Sequence, residues 1–209
     1  MIARFVVIAA VVGLVVFAVV TLFSPPRSVL VPTASPTVAP ATIPPASPTP
    51  STAASASPTT PTSCPNQTGG TEGRQAQLVA VRVAHDTGFD RVVFEFGEST
   101  APGQFGLPPY QVANVKTLSG MGGQPVTVAG NALFGIGIQN ASTVNPDGTR
   151  SYTGPSSLKP TTPLVREVRL VEDFERVMLW GIGLDRLACP RVTTLGSPLR
   201  LVLDFPTPP

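Results

Sequence analysis

The sequence predicts an all-β domain, a sandwich or a barrel, in the part of the chain that follows residue 74. Short runs of β-branched and aromatic residues, bounded by turn-forming residues, follow one another from residue 77 to residue 205. After residue 23, no window of 11 residues shows helical periodicity. Three runs also share one pattern, an Arg before a short apolar stretch with an acidic or aromatic end, which suits a half-buried strand with charged ends at the sheet rim. They are residues 90–96, 176–180 and 199–205.

The first 23 residues predict a transmembrane anchor. Phe5 to Phe23 is an uncharged run of 19 residues, which as a helix would be about 28 Å long, close to the thickness of a hydrocarbon core. A cleaved signal peptide is the alternative, although its apolar stretch is usually about 7 to 15 residues long. Arg4 and Arg27 flank the run and leave its orientation open. The Pro-, Ser- and Thr-rich stretch that follows the run has the composition of a linker, and the two cysteines suit an oxidising compartment. We therefore expect a single-pass protein of the cell membrane with residues 24–209 outside.

Residues 24–74 have the composition of a disordered linker. Eleven of the 25 prolines lie between residues 24 and 63, and no charged residue occurs between Arg27 and Glu72. Such a segment has too little apolar surface to offset the cost of ordering it. Its prolines favour extended polyproline II geometry, in which 40 residues span about 120 Å. We expect the linker to carry the following domain into a cell wall.

Residues 75–209 are long enough for one domain with its own core. From Glu72 to Phe205 there are 12 Lys and Arg against 12 Asp and Glu, so the domain is neutral. Binding to nucleic acid relies on an excess of Lys and Arg that neutralises phosphates. The composition therefore argues against a nucleic-acid partner.

The strands can be placed in order along this domain. Residues 77–84 and the Arg91 strand predict a hairpin, because the turn-forming stretch from His85 to Phe89 separates two β-branched runs. Further strands are expected at residues 110–115, 125–128, 132–138, 164–171, 174–184, 191–195 and 199–205. Residues 140–162 form a polar stretch without strand character, and a loop of that length in a compact domain is often functional.

Two of these strands repeat a glycine alternation. Residues 133–138 read Leu-Phe-Gly-Ile-Gly-Ile, and residues 179–184 read Leu-Trp-Gly-Ile-Gly-Leu. Glycines on one face of a strand leave room for a close neighbour, either a large side chain on an adjacent strand or a strongly bent sheet. A dinucleotide fingerprint would need a third glycine and a following helix, and neither is present.

The two cysteines, Cys64 and Cys189, are most simply explained by one disulfide in an exported chain. This bond would join the end of the linker to the C-terminal part of the sheet. Two free thiols are the alternative. A metal site is not expected, since zinc sites need more nitrogen or sulfur ligands than these, and no cofactor is expected either.

Catalytic residues are not assigned. His85 is the only histidine, and its neighbour Asp86 would point to the opposite face of an extended chain. Acidic residues lie mostly at strand ends beside arginines, where ion pairs such as Asp90 with Arg176 are a simpler explanation than the two carboxylates of a glycosidase.

A ligand surface, if the domain has one, would be formed by charged strand ends and aromatic rings. Trp180 in an apolar strand is expected in the core, whereas Tyr152 in the polar loop is expected to be an exposed contact. An ion pair of Arg91 with Asp204 is expected at the rim. The candidate binding residues are Asp90, Arg91, Tyr110, Tyr152, Arg200 and Asp204.

The strand motifs resemble those of AMIN-like domain proteins of actinobacteria and related bacteria. The resemblance covers residues 76–206 and is carried by three segments: residues 88–96, the Phe174-Glu175 strand with residues 181–184, and residues 197–204. It implies a β-sandwich module of the cell envelope, similar to modules associated with peptidoglycan and with targeting to envelope machinery or the division site. It implies no catalytic residue, because the related amidases use a separate zinc domain.

We therefore expect a membrane-tethered, non-catalytic module that binds cell-wall glycan or an envelope protein. One alternative is a protein with a pocket for an apolar ligand, lined by the glycine-rich strands. The other is a cell-wall hydrolase with an unfamiliar pair of carboxylates.

Overall fold

The structure, a computed structural model, describes residues 61–208. The predicted anchor at residues 5–23 and residues 24–60 of the predicted linker lie outside the described residues. The part of the chain that the structure describes holds no helix of the length and apolarity that a membrane crossing needs.

Residues 61–208 form β-strands and no helix, which confirms the predicted fold class. The strands are β1 (Gln67–Gly69), β2 (Arg74–Asp86), β3 (Phe89–Gly97), β4 (Gln104–Phe105), β5 (Tyr110–Val115), β6 (Leu118–Ser119), β7 (Pro125–Val126), β8 (Ala132–Ile138), β9 (Ala141–Ser142), β10 (Ser157–Leu158), β11 (Val165–Phe174), β12 (Val177–Leu184), β13 (Arg191–Gly196) and β14 (Leu199–Pro206).

Two sheets account for most of these strands. The first sheet has the order β1-β5-β8-β12-β11-β10, and every neighbouring pair in it is antiparallel. The second sheet has the order β13-β14-β3-β2-β4, with β9 also beside β2. The short pairings of β2 with β4 and β9 are parallel, and the others are antiparallel. Strands β6 and β7 form a separate two-stranded ribbon.

Aromatic rings from both sheets meet in the core and show that the sheets pack face to face. Phe94 of the second sheet contacts Trp180 of the first edge to face, with ring centroids 5.6 Å apart. Phe134 of the first sheet contacts Phe205 of the second in the same way at 5.5 Å. All four side chains are buried. The predicted core position of Trp180 is confirmed.

Two pairs of similar sequence segments form neighbouring strands. Strands β3 and β14 pair directly, so that Arg91 lies opposite Asp204. Strands β8 and β12 also pair, with Gly135 opposite Gly181. The third Arg-containing phrase, residues 176–180, lies in the first sheet and not beside the other two.

Ordered structure begins before residue 75. Cys64 and β1 lie within the predicted linker, residues 24–74, but Cys64 is bonded to Cys189 and β1 pairs with β5. The predicted disulfide is thus present, with the two Cα atoms 5.3 Å apart. It joins the beginning of the described chain to the segment that precedes β13.

The strand expected at residues 174–184 is in fact the end of β11, a turn and β12. The turn residues Glu175 and Arg176 both have positive φ, 48° and 62°, which non-glycine residues rarely adopt. The backbone carbonyl of Arg176 accepts a hydrogen bond from Ala141, and its guanidinium donates to the carbonyl of Asn140. These contacts with residues 140 and 141 stabilise a turn whose own residues, Glu175 and Arg176, are not typical turn formers.

Candidate functional site

A groove crosses the outer face of the first sheet, where β1, β5 and β8 meet the beginning of β12. Its volume is about 590 Å³, within the range of small-ligand sites. We call it the outer groove. The residues that shape it include Thr68, Glu72, Tyr110, Gln111, Gly137, Gln139 and Val177.

The floor of the outer groove is the bare backbone of Gly137. This glycine lies between Gln111 of β5 and Leu179 of β12, its partners across the two ladders. A Cβ atom at Gly137 would meet nothing within 4 Å. A flat ligand can therefore lie directly on the strand at this position.

Polar and apolar groups border this floor. The side-chain amides of Gln111 and Gln139 are exposed, as is the carboxylate of Glu72. Val177 is 48% exposed. Amides that offer both donors and acceptors, beside an apolar contact, suit a ligand with hydroxyl and acetamido groups.

Tyr110 lines the outer groove and is half-buried. Its ring lies so close to Gly69 that a Cβ there would overlap it. Burial raises the pKa of the Tyr110 phenol. The residue therefore shapes the groove and also packs against the edge of the core.

The remaining glycines of β8 and β12 are covered by the chain itself. We call residues 116–131, which contain β6 and β7, the covering segment. Leu118 lies where a Cβ of Gly135 or Gly181 would be, and Val128 lies over Gly181 and Gly183. The expected close neighbour of these glycines is present, but its side chains come from the covering segment and not from an adjacent strand of the sheet. The glycines hold no space for an apolar ligand, because Leu118 and Val128 fill it.

Glu167 attaches the covering segment to the first sheet. This carboxylate is 3% exposed, and it accepts hydrogen bonds from the backbone N–H of Ala129 and the hydroxyl of Ser157, both at 2.7 Å. Burial opposes ionisation, but these hydrogen bonds and the nearby Lys159 and Arg169 lower the pKa of Glu167 below its usual value. An ionised Glu167 thus fixes one end of the covering segment.

A second cleft of about 580 Å³ lies between the covering segment and the ends of β5 and β8. Asn114, Lys116, Asn131 and Leu187 are among the residues that line it. Among residues 61–208, no Asp or Glu lines this cleft, and Glu72 is the one carboxylate that lines the outer groove. Neither cleft brings together the two carboxylates that a glycosidase needs.

Three of the predicted binding residues share the outer face of the second sheet. The guanidinium of Arg91 donates to both carboxylate oxygens of Asp204, at 2.7 and 2.8 Å, as expected for an ion pair at the rim. Arg200 lies on the same face, opposite Glu95, which is itself paired with Arg82 at 2.7 Å. This face of residues 61–208 carries paired charges of both signs, and neither of the two clefts lies on it.

Asp90 points the other way, into the sandwich. It is fully buried, and its Oδ2 accepts hydrogen bonds from the backbone N–H groups of Leu164 and Val165 at 2.7 and 2.8 Å. The expected pairing with Arg176 is wrong. Arg176 precedes the first residue of β12, whereas Asp90 bonds to Val165, which lies opposite the last residue of β12. The guanidinium of Arg176 donates instead to the carbonyl of Asn140. Being buried, Asp90 offers nothing to a ligand at the surface.

Tyr152 is also buried, with 5% of its surface exposed. Its ring packs edge to face on Trp180 at 5.8 Å, and its hydroxyl donates to the carbonyl of Pro155 at 2.8 Å. The expected exposure of Tyr152 is therefore wrong. Tyr152 is the residue of the polar 140–162 stretch whose ring packs on the core. The composition of a loop does not predict which of its residues will be buried.

Within residues 61–208, no three His, Cys, Asp or Glu side chains come close enough together to hold a metal ion. His85 contacts a single carboxylate, that of Asp90, through Nδ1 at 2.8 Å.

The residues that form the outer groove were mostly missed from the sequence. Of its lining, only Tyr110 was a candidate. Gln111, Gln139 and Glu72 stand on different strands and loops, and no motif joins them. The one available signal was the glycine alternation, since Gly137 is the member of that pattern that stays uncovered.

The comparison with protein families agrees with the strand motifs. The family model of the AMIN-like domain matches residues 76–207, which is more than half of the chain. The chain matches no curated protein and no solved structure.

Proposed function

The chain belongs to the AMIN-like domain family, and from that membership we propose that it is a membrane-tethered, non-catalytic module of the bacterial cell envelope. Its β-sandwich binds cell-wall glycan or an envelope protein. The uncharged run at residues 5–23 is the tether, and the Pro-rich residues 24–60 are the spacer that lets the sandwich reach the wall. The family supports an association with peptidoglycan or the envelope in general.

The outer groove is the observation that favours a glycan. Its floor at Gly137 is open backbone on which a sugar ring can lie, and exposed amides of Gln111 and Gln139 stand beside it. The repeating N-acetylated sugars of peptidoglycan present hydroxyl and acetamido groups, which pair with amides, and a methyl group, which suits Val177.

Filling the groove tests this proposal directly. Gly137→Leu places a side chain in open space, so the fold is retained while the floor is blocked. We expect the variant to lose most of its binding to purified sacculi in a co-sedimentation assay. Ala84→Leu is the matched control, because it enlarges an exposed, small strand residue on the second sheet, and it is expected to bind like the unaltered protein.

Each outcome has a defined meaning. Loss of sacculus binding in both variants, or in neither, would remove the outer groove as the glycan site. If the unaltered protein does not sediment with sacculi, an envelope protein becomes the partner, and capture from a membrane extract with Gly137→Leu as the comparison decides whether the same groove is used.

The tether is tested separately. We expect the protein to stay with the membrane fraction after alkaline carbonate washing and to be released by deletion of residues 5–23. Release of the intact chain by carbonate would contradict the tether.

A further inference from the structure

Strand β13 is a regular open edge of the second sheet in the part of the chain that the structure describes. It pairs with β14 over six residues without a bulge, and no second strand lies on its other side. The terminal strands β1, β4, β9 and β10 of residues 61–208 have two or three residues each. Strand β2 is also open from residue 78 to residue 86, since β4 and β9 pair only with its residues 74–77, but a bulge and the charged side chains of Arg82 and Asp86 protect that edge. An open edge like that of β13 presents a row of backbone N–H and C=O groups that another strand can pair with.

The usual protections of an edge strand are weak in β13. Its sequence is Arg-Val-Thr-Thr-Leu-Gly, with no proline and no lysine, and its one charge stands at its first residue. Leu195 is 44% exposed on the outer face of this strand.

The chemistry of β13 fits a second copy of itself. We propose that two molecules pair through β13 in antiparallel fashion about a twofold axis at Thr193, so that the second sheet continues from one molecule into the next. In this register Thr193 faces Thr193 of the other copy, and Leu195 faces Arg191.

Four features of the pairing make it self-complementary. Opposed threonines are a favourable cross-strand pair. The aliphatic stem of Arg191 covers the exposed Leu195, and no like charges stand opposite each other. The two copies also present the same face of the joined sheet. Because the twofold axis passes through Thr193, the outer-face residues Arg191, Thr193 and Leu195 of one copy lie opposite outer-face residues of the other copy.

This pairing leaves the outer groove free, because the groove lies on the first sheet and β13 edges the second. It would double the number of glycan sites per assembly, which raises avidity without new contacts. The pairing itself does not depend on the proposed glycan binding.

Cysteine cross-linking of the full chain in mild detergent tests the register. Directly opposed Cα atoms in an antiparallel pair are about 4.5 to 5.5 Å apart, within the range of a disulfide. The Cα atoms of the two Thr194 residues would be about 8 Å apart, which is too far. We therefore expect T193C to form at least about fivefold more covalent dimer than T194C or the exposed loop control T153C.

Equal cross-linking of all three variants would show only shared micelles and would overturn the proposal, as would cross-linking of T194C in preference to T193C. A second measurement does not depend on cysteine. Sedimentation equilibrium should show concentration-dependent dimers that T193K abolishes by opposing two lysines, and that L195E strengthens by placing a carboxylate opposite Arg191. Circular dichroism confirms that each variant is folded, and an unaltered protein that stays monomeric at every concentration would also overturn the pairing.

Discussion

His85 and Asp90 lie opposite each other in the β2–β3 hairpin, and the Nδ1 atom of His85 is 2.8 Å from Oδ1 of Asp90. The second oxygen of the same carboxylate accepts the backbone N–H groups of Leu164 and Val165. Asp90 therefore connects the hairpin of the second sheet with the first residue of β11 in the first sheet. The side chain of His85 is 45% exposed and lies between the buried carboxylate of Asp90 and solvent.

We expect Asp90→Asn to lower the free energy of unfolding by about 2 to 3 kcal/mol, because a neutral amide with one acceptor oxygen replaces a buried carboxylate that accepts three hydrogen bonds. Chemical denaturation measures this change. Asp204→Asn is the control: its ion pair with Arg91 is partly exposed, so we expect a loss of about 1 kcal/mol or less. Equal losses in the two variants would contradict a special role for Asp90.

The same carboxylate makes stability depend on acid pH. Burial alone would raise the pKa of Asp90, but hydrogen bonds from Val165, His85 and Leu164 lower it below the usual value. The stabilisation is complete above the unfolded pKa of about 3.9 and is lost as the pH falls through the lower native pKa. Thermal unfolding between pH 7 and pH 2 should show a steeper acid loss in the unaltered protein than in Asp90→Asn. Parallel curves would show that Asp90 contributes nothing to the pH dependence.

Features that depend on local pattern could be predicted from the sequence. The strands of the sandwich follow from runs of β-branched residues between turn residues, and the pairing of Arg91 with Asp204 follows from two similar phrases that become neighbours. The alternating glycines of β8 and β12 also predicted a close neighbour, because the alternation places all positions that lack a side chain on one face of the sheet.

Contacts between distant residues that no shared sequence pattern connects could not be predicted. Asp90 bonds to residues 74 and 75 positions away, and Arg176 adopts its positive φ because Ala141 and Asn140 hold it. The outer groove is assembled from β1, β5, β8 and β12, so its amides are neighbours only after both ladders have formed. Composition alone also placed Tyr152 outside, whereas Trp180 offers it a partner in the core.

The disulfide between Cys64 and Cys189 should contribute strongly to the stability of the domain. It closes a segment of 125 residues, for which the chain-entropy model gives about 4 to 5 kcal/mol. We expect the double variant Cys64→Ala with Cys189→Ala to unfold at clearly lower denaturant concentration, with the slope of the transition raised by a more expanded unfolded state. Reductant should destabilise the unaltered protein by the same amount and leave the double variant unchanged. A shift of less than about 1 kcal/mol would show that β1 and the core hold this segment without the bond.

The glycines of β8 and β12 divide into one that faces open space and others that do not, and alanine substitution should separate them. A Cβ at Gly183 would overlap the backbone carbonyl of Ala129 in the covering segment. Since a backbone atom cannot turn aside as a side chain can, we expect Gly183→Ala to cost about 1 to 3 kcal/mol. Gly137→Ala meets nothing, and because glycine is a poor strand residue it should be neutral or stabilise by about 0.5 to 1 kcal/mol. Thermal unfolding of the two variants measures the difference, and hydrogen exchange at residues 116–131 should rise in Gly183→Ala alone, because the covering segment is then displaced. Similar stabilities for the two variants would mean that the covering segment does not rest on the glycines.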